Sequence, residues 1–136
     1  MKVFTTDKIR NVVVLGHSGA GKTSLVSAMN GIATASKQRM TEPAATTQML
    51  VQPILWDDHK INILDVPGAF DFVGEIEEAV GVADAAIIVI SGKNGVENGT
   101  RKAWAMCEKY HLPRIVYVSD MDIDDVSFKN VVLGLQ

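Results

Sequence analysis

The sequence has few of the features that mark secreted, membrane or nucleic-acid-binding proteins. Its single cysteine, Cys107, excludes an internal disulfide, fits a reducing compartment and is expected to be a core residue. The longest apolar run, residues 85–90, is too short to span a bilayer, and the N-terminus has no apolar signal segment. With a net charge of −3 and no run of basic residues, the chain shows no direct signal for nucleic acid. We therefore expect a soluble, cytoplasmic protein with no membrane partner.

The residues that are present have the balance of an ordinary globular domain. Of 136 residues, 47% are hydrophobic and 21% are charged, which is enough to build a core. The sequence contains no internal repeat and no low-complexity tract. These properties predict that residues 1–136 form a single domain.

One stretch, residues 16–23, matches the pattern G-x-x-x-x-G-K-[ST] at every fixed position. Its glycines allow consecutive backbone N–H groups to point at a polyphosphate. Lys22 is predicted to place its charge near the β- and γ-phosphates, and Thr23 to bind Mg²⁺ through its hydroxyl. A buried strand is predicted before the stretch, at about 11–15, and a helix after it, at about 22–30. The pattern in this setting predicts a nucleotide-binding phosphate loop.

Alternating strands and helices are predicted for the rest of the chain. Further strands are expected at about 47–56, 61–65, 85–90 and 114–118, and further helices at about 72–81, 97–110 and 124–134. Pro53 cannot donate a ladder hydrogen bond, so its strand should lie at a sheet edge. Residues 32–46 have no periodicity and are predicted to form a mobile loop. The fold class is therefore an α/β three-layer sandwich of the P-loop NTPase type, with a mostly parallel sheet and one antiparallel edge strand.

The loops that follow the predicted strands carry the remaining polar motifs. Because ligands of such sheets bind at the carboxyl ends of the strands, residues 65–68, 91–95 and 119–122 should meet the phosphate loop there. The Asp65 carboxylate can hold Mg²⁺ through water, and the Gly68 N–H can contact a γ-phosphate. Asp-x-Pro-Gly also forms ordinary turns, so a purely structural role for this motif stays open.

Several segments outside the phosphate loop complete a family pattern. They are residues 10–12, 56–68, 71–72, 75–77, 92–97 and 112–115. Together with residues 16–23 they resemble the translational GTPases, and within them the GTP-binding domain of elongation factor G and its ribosomal-protection relatives. The resemblance covers nearly the whole chain except residues 31–45. It implies a GTPase switch with Mg²⁺ as cofactor, GTP and GDP as ligands, and the ribosome as partner of the full-length protein.

The predicted site residues combine the phosphate-loop pattern with this resemblance. The nucleotide-binding residues are His17, Ser18, Gly19, Ala20, Gly21, Lys22, Thr23, Ser24, Asp65, Gly68, Ser119 and Asp122. The metal ligands are Thr23, Thr46 and Asp65, and the catalytic roles are assigned to Lys22, Gly68 and Thr46. Thr46 stands where the resemblance puts the threonine of the family's first switch, although residues 43–45 replace the usual lead-in and the preceding loop looks shortened.

Three features depart from the family pattern. Ala69 stands where the family has a histidine that positions the attacking water, and a methyl group can neither orient water nor carry a proton. Residues 119–122, Ser-Asp-Met-Asp, replace Asn-Lys-x-Asp. Asp122 keeps the guanine-selecting carboxylate, Ser119 recovers part of the bonding of the asparagine, and an aspartate replaces the lysine. The chain also ends before the family's last guanine-contacting loop, so we expect an incomplete domain.

These departures leave more than one function open. The leading interpretation is a guanine-nucleotide switch whose GTP hydrolysis is slow unless the ribosome assists it. The alternative is a pseudo-GTPase that keeps the fold and acts as an interaction module. A P-loop ATPase fits less well, because Asp122 has no role toward adenine, although this residue has a purely structural alternative as a helix N-cap. The histidines His17, His59 and His111 are predicted to be structural or solvated rather than catalytic.

Overall fold

The computed structural model describes residues 3–34, 49–68 and 73–135, which form one sheet with helices packed against it. The strands are β1 (Ile9–Gly16), β2 (Leu50–Trp56), β3 (His59–Asp65), β4 (Ala85–Ser91) and β5 (Arg114–Ser119). The helices are α1 (Lys22–Ala33), α2 (Val73–Val82), α3 (Asn98–Lys109) and α4 (Phe128–Gly134), and a 3-10 turn, Thr6–Lys8, precedes β1. In the described part of the chain, every helix is too short or too polar to cross a bilayer.

The five strands are arranged in the order β2-β3-β1-β4-β5. β1 is parallel to both of its neighbours, with Val12 opposite Ile63 of β3 and Ala85 of β4. β5 is parallel to β4, while β2 is antiparallel to β3 and lies at the edge, where Pro53 pairs with Asn62. The predicted fold class is therefore confirmed, including the antiparallel edge strand that Pro53 indicated.

Apolar residues of the central strands alternate between two cores, because successive side chains of a strand point to opposite faces. Val13 and Leu15 of β1 belong to the core on one face, which also contains buried residues of α2, α3 and α4: Ala79, Val80, Ala103, Cys107 and Val131. Val14 of β1 belongs to the core on the other face, together with Val26 of α1. The two cores make the three layers of the sandwich, and the prediction that Cys107 is a core residue is confirmed.

Helix α1 is longer than the sequence predicted. Asn30-Gly31 was expected to end it, but the helix continues to Ala33. Gly31 does not adopt the left-handed conformation that ends many helices, and the Asn30 carbonyl accepts hydrogen bonds from both the N–H and the hydroxyl of Thr34. The start of the predicted loop at 32–46 is therefore helical, and residues 35–46 lie outside the described residues.

Helix α4 is shorter than predicted and begins at Phe128 rather than near residue 124. Asp120 and Asp125 have φ values of 56° and 68°, which a right-handed helix cannot contain. Ser127 occupies the N-cap position of α4. The alternative role of Asp122 as the N-cap of this helix is therefore wrong.

Replacement of Ile88 by alanine tests the central position of β4. Ile88 is 0% exposed, whereas Ile115, on the edge strand β5, is 65% exposed. We expect Ile88→Ala to lower the free energy of unfolding by about 2–5 kcal/mol, because it leaves a cavity between packed layers. The matched Ile115→Ala should change it by about 0.5 kcal/mol or less. Urea denaturation of both variants measures the difference, and equal losses would contradict the assigned sheet order.

Candidate nucleotide-binding site

The loop between β1 and α1 has a backbone that only glycine permits at its first position. Gly16 has φ 145°, and a Cβ atom there would lie 2.3 Å from the Val89 carbonyl oxygen of the neighbouring strand. At the other end of the loop, Gly21 is left-handed, with φ 93°, and precedes α1 without a side-chain cap. The first N–H groups of α1 and the positive end of its dipole therefore face this loop.

Lys22 lies inside the loop rather than on its surface, with 6% of the residue exposed. Its Nζ donates hydrogen bonds to the carbonyl oxygens of Gly16, at 3.2 Å, and His17, at 2.9 Å. Burial lowers the pKa of Lys22, and the nearby Asp65 carboxylate opposes that shift. The ammonium group is thus held in place by backbone carbonyls, at the point where the pattern predicted a phosphate contact.

Asp65 ends β3 and is completely buried. Among the described residues, neither of its carboxylate oxygens accepts a hydrogen bond of normal geometry. Burial raises the pKa of the Asp65 carboxyl, whereas the Thr23 side chain and the Lys22 ammonium lower it. Buried acceptors without a full set of donors are rare, and they fit a cation bound nearby.

A magnesium ion fits the donors that the structure brings together here. Thr23 and Asp65 offer a hydroxyl and a carboxylate, the hard oxygen ligands that Mg²⁺ prefers. In the described ranges, no group of three or more His, Cys, Asp or Glu side chains could hold a metal by itself. The third predicted ligand, Thr46, lies outside the described residues.

Gly68 packs directly against the phosphate loop. A Cβ atom at this position would lie 2.3 Å from Lys22 Nζ and 2.8 Å from Ser18 Cα, so only a glycine backbone can approach so closely. The predicted γ-phosphate contact and the phosphate loop are therefore neighbours in the fold. Ala69, the next residue, lies outside the described residues.

The end of β5 also contacts the phosphate loop. The Ser119 hydroxyl donates a hydrogen bond to the Ala20 carbonyl oxygen at 2.9 Å, so its hydrogen is used within the protein. Asp122 is exposed. The structure therefore places Ser119 as a link between the end of β5 and the phosphate loop, and leaves Asp122 on the surface of the turn that follows β5.

His17 makes a contact that sequence reasoning missed. Its Nδ1 accepts a hydrogen bond from the Gly99 N–H at 3.3 Å, and its Nε2 lies 3.5 Å from Glu97 Oε1. The ring therefore joins the phosphate loop to the first turn of α3. A histidine in the loop did not indicate this partner, because Gly99 is 82 positions away in the chain.

The loops that follow the strands meet at the carboxyl edge of the sheet, as the sequence predicted. Gly68 and Ser119 contact the phosphate loop, and the Gly92 N–H donates to the Ser119 carbonyl at 2.9 Å. A phosphate loop at the switch from strand to helix, a buried lysine and a buried aspartate define the fold and site of a P-loop nucleotide-binding domain.

Comparison with known proteins agrees with this class. Residues 7–136 match the family described as the elongation factor Tu GTP-binding domain. Ribosome-releasing factor 2, mitochondrial, from Drosophila melanogaster is 33% identical over 96% of this chain and 20% of its own length. Elongation factor G from Salinibacter ruber is also 33% identical, over 95% of this chain and 20% of the relative. The chain thus spans about a fifth of the length of these relatives.

Solved structures give the same result. A crystal structure of a protein from Thermus thermophilus superposes with a TM-score of 0.84 at 34% identity, covering 94% of this chain and 22% of the other. Translation elongation factor SelB from Methanococcus maripaludis, solved in complex with the GTP analogue GppNHp, has a TM-score of 0.77 at 21% identity, which shows a shared fold. It covers 99% of this chain and 26% of the other.

The chain belongs to the elongation factor Tu GTP-binding domain family, and its similarity to elongation factor G confirms the resemblance seen in the sequence. It is therefore a G domain of the translational GTPase type.

Replacement of Gly99 by alanine tests the contact between α3 and the phosphate loop. The added Cβ would lie 2.5 Å from His17 Cα, a backbone atom that cannot move without shifting the loop. We expect a loss of about 1–3 kcal/mol in the free energy of unfolding. The matched control is Gly81→Ala in α2, where nothing lies within 4 Å and stability should rise by about 0.5–1 kcal/mol. Thermal and urea denaturation measure both, and a stabilised Gly99→Ala would show that the contact is absent.

Proposed function

We propose that this chain binds guanine nucleotide with Mg²⁺ and acts as the switch domain of an elongation-factor-G-like GTPase. The observation that carries the proposal is the buried pair of Lys22 and Asp65 beside the phosphate loop. Asp65 is fully buried, and its carboxylate oxygens accept no hydrogen bond of normal geometry from the described residues. A ligand that brings negative charge for the lysine and a cation for the aspartate fits both groups at once.

Each residue of the site has a role in this proposal. Lys22 and the N-terminus of α1 would bind the phosphates and offset their charge. Thr23 and Asp65 would hold the ion, which when bound neutralises charge on the β- and γ-phosphates. The Gly68 N–H would contact the γ-phosphate, and hydrolysis would remove this contact.

We propose that the catalytic step depends on a partner. Ala69 supplies no group that could orient water or move a proton, so unaided hydrolysis would be slow. Other nucleotide switches gain their rate from a partner protein, and two relatives of this chain are named as a ribosome-releasing factor and an elongation factor. We therefore propose that the ribosome is the partner, reached through the whole protein, and that this takes place in the cytoplasm.

A second candidate function rests on the residues that differ from the family pattern. A pseudo-GTPase would bind nucleotide, or only keep the fold, and would serve as an interaction module. Ala69 favours this candidate, and so does Asp120, whose carboxylate contacts Ser91 of the protein itself. Binding and turnover measurements separate the two functions.

Replacement of Lys22 by alanine tests the nucleotide site. The variant loses the charge predicted to contact the phosphates, so we expect GTP and GDP to bind about 30-fold or more weakly, a cost of roughly 2–5 kcal/mol. Titration of fluorescent GTP, GDP and ATP analogues, with and without Mg²⁺, measures this loss together with base preference.

Lys129→Ala, on the exposed surface of α4, removes the same charge and should leave affinity unchanged. Absence of nucleotide binding by the unmodified chain at millimolar concentration would refute the proposal. A preference for ATP over GTP would favour an ATPase instead.

Replacement of Ala69 by histidine tests the catalytic argument. A side chain able to orient water should raise ribosome-stimulated GTP hydrolysis by about 10²–10⁴-fold. Ala69→Leu adds bulk without a proton-transfer group and should hydrolyse GTP no faster than the unmodified chain. Single-turnover hydrolysis of radiolabelled GTP, with each substitution placed in the whole protein and with and without ribosomes, measures all three rates. Equal rates for the histidine variant and the unmodified chain would show that the missing histidine does not limit hydrolysis.

A further inference from the structure

The turn after β5 is tied to the end of β4 by a carboxylate that the proposed chemistry does not use. Ser91 ends β4, is 3% exposed, and donates its hydroxyl hydrogen to Asp120 Oδ2 at 2.6 Å. The Asn94 N–H lies 3.4 Å from the Ser91 oxygen and donates to it. The Ser91 hydroxyl therefore accepts one hydrogen bond and donates one, to Asp120. A short, charge-assisted bond at a nearly buried serine is among the stronger single contacts of a protein.

This contact continues to the phosphate loop through Ser119. The Ser119 hydroxyl has one hydrogen, and its shortest acceptor is the Ala20 carbonyl at 2.9 Å, with Asp120 Oδ2 farther away at 3.2 Å. The Ser119 carbonyl accepts from the Gly92 N–H at 2.9 Å. The end of β4, the end of β5 and the phosphate loop are thus joined by consecutive hydrogen bonds.

The backbone conformation of Asp120 also shapes the turn after β5. Its φ of 56° is left-handed, a conformation that aspartate and asparagine adopt more readily than most residues. The Asp120 carbonyl accepts from the Ile123 N–H at 3.4 Å, which closes the turn that carries the exposed Asp122. The bond from Ser91 therefore holds the side chain of a residue whose left-handed backbone begins this turn.

We propose that Asp120 is a positioning residue that fixes the turn carrying Asp122 relative to the phosphate loop. Through this turn it sets the part of nucleotide affinity that depends on the base, while the phosphate-dependent part stays with the loop itself. The inference rests on the proposed nucleotide-binding function. Asp120 stands where the family pattern has a lysine. We infer that it acts through its contact with Ser91, a role that could not be inferred from the lysine.

The test compares a ligand with a base and a ligand without one. Isothermal titration with GDP and with inorganic tripolyphosphate, both in Mg²⁺, separates the two parts of affinity. Asp120→Ala should weaken GDP binding about tenfold, since it removes a charge-assisted hydrogen bond that orients the turn. Tripolyphosphate binding should change less than about twofold, because the phosphate loop keeps its own contacts. Circular dichroism of each variant serves as the control for folding.

Four further variants distinguish positioning from general destabilisation. Ser91→Ala cuts the same bond from its other end and should reproduce the GDP loss, and the double variant should be no worse than either single one. Asp120→Asn keeps an acceptor oxygen and tolerates the left-handed backbone, so it should restore most of the GDP affinity. Asp124→Ala removes an equal charge from an exposed position of the same stretch and should change neither affinity.

The outcomes separate this inference from the proposed function. Equal weakening of GDP and tripolyphosphate would reduce Asp120 to a structural role, and unchanged GDP binding in Asp120→Ala or Ser91→Ala would overturn the inference outright. Failure of Asp120→Asn to restore affinity would do the same. If the unmodified chain bound neither ligand, the proposed nucleotide site itself would be wrong and the inference would fall with it.

Discussion

Two opposite charges, Lys22 and Asp65, are buried near each other at the carboxyl edge of the sheet, and they impose the main constraint on this domain. Removal from water pushes Lys22 and Asp65 toward their neutral forms, lowering the pKa of the lysine and raising that of the aspartate, and each charge opposes the shift of the other. Buried pairs of this kind are a weak source of stability. We therefore propose that their placement beside the phosphate loop serves a ligand that carries both anionic oxygens and a cation.

The parallel sheet is what brings this pair together. β1 pairs with β3 on one side and β4 on the other, so the loops that follow these strands open at the same edge. Close backbone approaches then set the spacing, since Gly16 leaves no room for a side chain against β4, and Gly68 leaves none against Lys22. The continuous apolar cores on both faces hold the strands in this register, so the packed sheet fixes the positions of the site residues.

The phosphate side and the base side of the site differ in how they are built. On the phosphate side, the loop backbone and Lys22 belong to a single segment of chain, and Asp65 joins them from the end of β3. On the base side, the Ser91–Asp120 contact and the Ser119–Ala20 contact connect two strand ends to that loop. The membership of this chain in a GTP-binding family indicates the kind of ligand.

Local patterns in the sequence were enough to determine the phosphate loop, the order of strands and helices, and the edge position of the strand with Pro53. Each of these depends on neighbouring residues: glycine spacing, apolar periodicity and a missing N–H donor. Only the tertiary structure showed where α1 ends, where α4 begins, and that His17 contacts α3 and Asp120 contacts Ser91. The interpretations of Thr46 and Ala69 still rest on sequence, because both lie outside the described residues. The partners of a polar side chain are set by residues far away in the chain, and only folding brings them within hydrogen-bond distance.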